Sequence, residues 1–211
     1  MKTMQTDFAL IIVDAQNDFM KENGALYVPG AADVEKNIIL LSKQARDNAI
    51  RQIITQDAHM MMDKEIASGA FPSHCIIGTH GQQIIKDIHL VRPKTINMAF
   101  EDDKTIDRYM HSISDLSICK TSYDVFDNMN TERIFKHLKM VIVCGVATDI
   151  CVRAVVLGAR DLSIDCFVVE DAIAGLTVES VIEAKKEMIQ YGAEFIHMDE
   201  VGDVCESYQT S

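Results

Sequence analysis

Four short runs along the chain are apolar at successive positions rather than at every second one: Phe8 to Val13, Arg51 to Thr55, Met140 to Cys144 and Leu162 to Val169. Runs of that length with no polar face fit strands covered on both sides. Between and after them lie segments with helical spacing, Ala32 to Asn48, Thr131 to Leu138, Asp149 to Arg160 and Thr177 to Tyr191, and a last short run follows at Glu194 to His197. The order strand, helix, strand predicts an α/β fold with a parallel sheet and helices on both faces, because parallel strands need crossover connections. Asp57 to Thr121 follows neither period and gathers His, Met, Gly and acidic residues, so it reads as the irregular part.

Composition narrows this picture without changing it. The 211 residues, 48% hydrophobic and 25% charged, suit one globular domain spanning 1–211. A formal net charge of -12 with no basic cluster argues against nucleic acid as a partner. The apolar run at the start ends in Asp14, too short to span a bilayer and without a cleavage site, so neither a targeting segment nor a membrane partner is expected. The six cysteines lie far apart with no C-x-x-C pair, which fits reduced thiols in a cytoplasmic protein.

In open parallel sheets ligands bind beyond the carboxyl ends of the strands, so the residues after each apolar run carry the candidate chemistry. The first run ends at Val13-Asp14; the run from Met140 leads through Gly145-Val-Ala-Thr-Asp-Ile-Cys151 into a helical segment. A cysteine in the first turn of a helix gains thiolate character from the helix dipole, and the same backbone N–H groups can hold an oxyanion. From position alone Cys151 is as readily a small core residue as a nucleophile.

The stretch Ala9-Leu-Ile-Ile-Val-Asp14-Ala-Gln-Asn-Asp-Phe19 resembles the opening signature of the isochorismatase-like cysteine hydrolases, and Gly145-Val-Ala-Thr-Asp-Ile-Cys151-Val resembles their nucleophile motif. The resemblance covers nearly the whole chain and implies a Rossmann-like three-layer sandwich with a mainly parallel central sheet, the cysteine following the fourth strand. It also implies a catalytic triad of Asp14, Lys120 and Cys151. Lys120 is assigned because it precedes Thr121-Ser-Tyr-Asp-Val-Phe126, with Lys94 and Lys104 as competitors. In this triad Lys120 would lower the Cys151 pKa. The family places a cis peptide before the position of Ala147, so the N–H groups of Ala147 and Cys151 would form the oxyanion hole.

Ile54-Thr-Gln-Asp57-Ala-His59 and Phe71-Pro-Ser-His74-Cys-Ile-Ile-Gly-Thr79 resemble the metal-binding segments of the nicotinamidase branch. That resemblance implies one divalent ion, zinc or else iron or manganese, on Asp57, His59 and His74, with Glu65 or Asp63 as a further candidate ligand. Phe19 and Phe71 match positions that sandwich the substrate ring, and Tyr123 is a third candidate contact. The branch commonly carries Trp where Ala58 and Phe71 stand, and this chain has no Trp. The expected activity is hydrolysis of nicotinamide. Another small amide or carbamoyl substrate is the alternative within the family, and a non-enzymatic Rossmann-like binding protein the alternative outside it. A homo-oligomer is compatible with the sequence. The long acidic stretch Ile96 to Ile118 departs from the branch, and a lid or an oligomer contact there would change the substrate.

Overall fold

The computed structural model of the protein describes residues 5–69 and 71–209. In chain order the elements are β1 (Gln5–Val13), α1 (Asn17–Met20), α2 (Ala31–Asp47), β2 (Ile50–Asp57), α3 (Lys64–Ala67), β3 (Lys94–Ile96), α4 (Asp103–Met110) and β4 (Leu116–Lys120). They continue with α5 (Thr131–Phe135), β5 (Met140–Val146), α6 (Arg153–Asp161), β6 (Asp165–Ala174), α7 (Val178–Gln190), β7 (Glu194–Ile196) and α8 (Val201–Gln209). The seven strands form one sheet in the order β3-β4-β2-β1-β5-β6-β7, and every neighbouring pair is parallel.

The unbroken apolar runs are explained by a core on each side of the sheet. Along β1, Ala9, Ile11 and Val13 face a cluster completed by Ile134 and Phe135 of α5, Val155 and Val156 of α6 and Met188 of α7. Phe8, Leu10 and Ile12 face the other side, where Ile38 and Leu41 of α2 and Val201 of α8 close the layer. Each of the larger side chains, moved fully out of water, contributes about 1.5–3 kcal/mol, so both faces of a strand select for apolar residues.

Three expectations are corrected. The region from Asp57 to Thr121 contains two strands and two helices: the short α3 comes first, β3 and β4 extend the sheet, and α4 begins at an Asp102 cap whose carboxylate accepts the Thr105 N–H. The segment Leu116-Ser-Ile-Cys-Lys120 is fully buried although it mixes Ser and Lys with apolar residues. As a result Cys151 follows the fifth strand, not the fourth. Finally, β6 starts at Asp165 rather than Leu162, because Leu162 and Ile164 both donate to the Ala159 carbonyl and Ser163 turns through a left-handed φ of 62° to close α6.

Arg51, inside a run read as apolar, explains how the β3–α4–β4 segment is held. Its guanidinium is fully buried and donates to the carbonyls of Tyr109, Ser114, Met110 and Ser112, the end of α4 and the turn into β4. A cation there also meets the negative end of the helix.

Candidate active site

Strand order reverses at β1, which lies between β2 and β5, so a crevice forms beyond the carboxyl ends of these strands. A pocket of about 240 Å³ opens there, lined by Asp14, Asp57, His74, Ala147 and Cys151 and by an apolar wall that includes Phe19, Phe71 and Leu176. A second cavity, of about 440 Å³, lies at the amino ends of the strands beside Phe8, Ile50 and α8, away from these groups.

Each polar group is delivered by its strand. Asp14 follows β1 with a left-handed φ of 47°, a conformation Asp tolerates better than most residues. Its N–H donates to Thr55, and the Thr55 hydroxyl donates to Asp14 Oδ1 at 2.6 Å. Lys120 ends β4 and is fully buried, with Nζ 2.9 Å from Asp14 Oδ2, 3.7 Å from Cys151 Sγ, donating to the Ser122 carbonyl at 3.0 Å and paired with Asp57 Oδ1. Lys94 and Lys104 are exposed and outside the pocket lining.

Cys151 lies in a π-turn, Thr148–Val152, ahead of α6, so the expected first turn of an α-helix is replaced by a wider one in which Val152 N–H reaches the Ala147 carbonyl. The Val146–Ala147 peptide is cis, as the resemblance implied. Gly145 carries a φ of 118° and packs against β1 so closely that a Cβ there would lie 2.1 Å from the Val13 carbonyl oxygen, which explains the glycine in the motif.

Burial governs the electrostatics. It raises the Asp14 carboxyl above its ordinary range against the pull of Lys120, and it raises the Cys151 thiol well above the usual value although Lys120 opposes the shift. The expected lowering of the thiol is thus outweighed by desolvation, and the resting cysteine is a thiol whose sulfur lies 3.7 Å from Lys120 Nζ. Burial also disfavours the Lys120 ammonium, but Asp14 and Asp57 more than compensate and hold it charged. Asp57 is pushed up by burial and, on balance, held well below the carboxylate range by Lys120, then His59 and His74.

Asp57, His59 and His74 offer ligand atoms within 4.8 Å of one another. Asp57 divides its oxygens: Oδ1 meets Lys120, and Oδ2 lies 3.6 Å from His59 Nε2 and 3.5 Å from His74 Nε2. His74 Nδ1 pairs with the Pro72 carbonyl at 2.8 Å, and His59 Nδ1 faces Asp63 Oδ2 at 3.6 Å, so both rings turn Nε2 inward. Both nitrogens of the buried His59 ring lack a hydrogen-bond partner. One carboxylate with two imidazoles, one of them backed by the Pro72 carbonyl and the other with unpaired ring nitrogens, fits a divalent ion such as zinc. Asp63 accepts the Met60 N–H and lies 3.6 Å behind His59 Nδ1, outside the three-residue cluster, and Glu65 lines the pocket without joining that cluster.

Of the aromatic candidates, Phe19 is buried with its ring centroid 5.5 Å from that of His74, Phe71 is half exposed at 6.3 Å, and Tyr123 is exposed at the pocket rim. Leu26, Val28, Ile150 and Leu176, which the sequence reading missed, complete the wall. Leu176 is held through Asp149, whose carboxylate accepts the Leu176 N–H and the Ser180 hydroxyl, an acid of the cysteine motif that could have signalled this tie. Ile96 to Ile118 contributes nothing to the pocket lining; it carries α4 between the edge strands β3 and β4.

A parallel sheet with an acid, an ammonium and a thiol gathered at its switch point defines an α/β enzyme of the hydrolase class. The Isochorismatase domain family matches residues 8–200, and the chain belongs to that family. It is 29% identical over 193 residues to the nicotinamidase/pyrazinamidase of Mycobacterium tuberculosis, covering 89% of this chain and 97% of that protein. With the nicotinamidase of Escherichia coli the identity is 30% over 193 residues, 81% of this chain and 84% of the relative. The pyrazinamidase of Pyrococcus horikoshii in complex with zinc superposes with a TM-score of 0.72 at 25% identity, covering 90% of this chain and 99% of that one.

Proposed function

We propose that the protein hydrolyses nicotinamide to nicotinate and ammonia through a thioester on Cys151. The observation that carries this reading is the shared pocket: Asp14 and Cys151 line one apolar cavity together with Asp57 and His74, with Lys120 buried behind it against Asp14, Asp57 and Cys151 and His59 buried beside Asp57 and His74. The relatives named for nicotinamide hydrolysis support the substrate.

Asp14 takes the thiol proton of Cys151 as the sulfur attacks the carboxamide carbon, so charge develops only when substrate is present. This order follows from burial, which disfavours a free thiolate in the resting pocket. Lys120 offsets the negative charge on sulfur, and the N–H groups of Ala147 and Cys151 receive the developing oxyanion. Asp14 then returns its proton to the departing ammonia. Water, deprotonated by the same carboxylate, cleaves the thioester and restores the thiol. Phe19 and Phe71 hold the ring, and Tyr123 closes the rim.

Asp57, His59 and His74 would hold zinc, which when bound supplies a Lewis-acid contact for the pyridine nitrogen. All six cysteines are free thiols, as expected where disulfides are rare, which supports a cytoplasmic setting. Among the described residues no helix is long and apolar enough to cross a membrane. Ammonia release from nicotinamide and from benzamide tests the substrate: benzamide keeps the carboxamide but has no ring nitrogen and is expected to turn over far more slowly. Equal rates would overturn the ring-nitrogen reading and favour another small amide.

A further inference from the structure

The first motif contains three residues, Gln16, Asn17 and Asp18, that the proposed chemistry does not use. We propose that Gln16 and Asp18 are positioning residues for the metal centre, fixing the spacing between Asp57 and His74; this rests on the reading of those two residues as ligands.

Register explains why a clamp is needed. The β1–β2 ladder ends at Val13 opposite Thr55, and Asp14 then turns the chain away, which leaves the β1 side of Asp57 without a strand partner. The fully buried Gln16 side chain takes that place: its Oε1 accepts the Asp57 N–H at 2.7 Å, and its Nε2 donates to the Asp57 carbonyl at 2.8 Å. A carboxamide thus completes the ladder by one residue and holds the Asp57 backbone extended. The same Nε2 donates to the Gln82 carbonyl at 2.8 Å, reaching the loop that carries His74.

Asp18 grips the other end of that loop. Its Oδ2 accepts the N–H of Cys75, next to His74, at 2.7 Å, and its Oδ1 accepts the Ala25 N–H at 3.1 Å. The carboxylate packs so close to Gly81 that a Cβ there would lie 2.0 Å from Oδ2. The turn itself is sewn to the loop by Asn17 N–H to the Gln83 carbonyl, Asp18 N–H to the Gly81 carbonyl and the Asn17 amide to the His80 carbonyl. One rigid turn therefore reads out to both ligands.

The test is zinc affinity of the chelator-stripped full chain, measured by competition with a chromophoric chelator. Gln16→Met keeps the volume and removes the two hydrogen bonds to Asp57 and the one to Gln82; Asp18→Asn keeps the shape but turns an amide nitrogen toward an N–H donor. Loss of an outer partner costs about 10–100-fold in metal affinity, and each variant is expected to show a fall of that order. Gln52→Met is the control, because Gln52 is an equally buried glutamine on β2 that bonds Ser42 away from the site; it should lower thermal stability yet keep zinc affinity within about twofold. Folded Gln16→Met and Asp18→Asn proteins that bind zinc as tightly as the parent would overturn the positioning role alone. A parent that binds no zinc would overturn the ligand reading and this inference with it. If Gln16→Met does not fold, Asp18→Asn, whose side chain is only partly buried, decides the outcome.

Discussion

Replacing Lys120 by Met removes a fully buried ammonium that lies 2.9 Å from Asp14 Oδ2 and leaves a side chain of similar length. Asp14, fully enclosed, then loses its counter-charge and can escape only by binding a proton. The cost of doing so is bounded by about 1.4 kcal/mol for each of the roughly three pH units between its unfolded pKa and neutrality, about 4 kcal/mol in all. Stability at pH 7 should therefore fall by about 3–4 kcal/mol, in line with the loss of one partner from a buried ion pair. The sign of the pH dependence follows from the direction of the shift. Burial already raises Asp14 above its ordinary value, and without Lys120 it rises further. A carboxyl whose folded pKa exceeds its unfolded one favours the folded state at low pH and loses that advantage as pH rises toward the folded pKa. The deficit should shrink to about 1–2 kcal/mol at pH 5. Urea unfolding of parent and variant at both pH values measures it, with ammonia release expected to drop at least about 1,000-fold. A loss below about 1 kcal/mol at pH 7, or the same loss at both pH values, would refute the claim that Lys120 neutralises a buried carboxylate.

Cys151→Ala should fold as the parent does and release no ammonia from nicotinamide, whereas Ala at Cys75, Cys119, Cys144, Cys166 or Cys205 should cost stability alone; turnover by Cys151→Ala would end the thioester mechanism. Thr55→Val deletes the hydroxyl that donates to Asp14 Oδ1 while keeping the side-chain shape, and kcat should fall by about 10–100-fold, with Thr55→Ser restoring most of it. An unchanged rate in Thr55→Val would show that Asp14 needs no such orientation. Arg51→Met strips four carbonyls of their donor at the end of α4, and urea unfolding should show a loss of about 3 kcal/mol. A near-neutral result would mean that the α4 turn relaxes to water without cost.

What the linear order carries is the local chemistry. Successive apolar positions at Phe8 to Val13 and Met140 to Cys144 announce strands covered on both faces, and the groups that follow them, Asp14 and Cys151, sit at the strand ends where a parallel sheet opens its crevice. Asp57, His59 and His74 were legible only through the resemblance of their two segments to a metal-binding pattern, because His74 returns from a loop whose path the local pattern does not set. The segment Leu116 to Lys120 was not legible, because Ser and Lys interrupt its apolar pattern and its burial comes wholly from insertion between β2 and β3. Lys120 is buried for a reason no neighbour in sequence supplies: Asp14 and Asp57, from two other strands, converge on its ammonium. The acidity of Cys151 was misjudged from the motif for a related reason. A helix start and a cation argue for a thiolate, but only the packed pocket adds the desolvation that outweighs them. Arg51 behaves likewise, a charge inside an apolar run whose partners lie some sixty residues away across the sheet. Short-range pattern determines which residues are reactive and which elements carry them, whereas tertiary packing decides which charges are buried together, and burial sets their protonation.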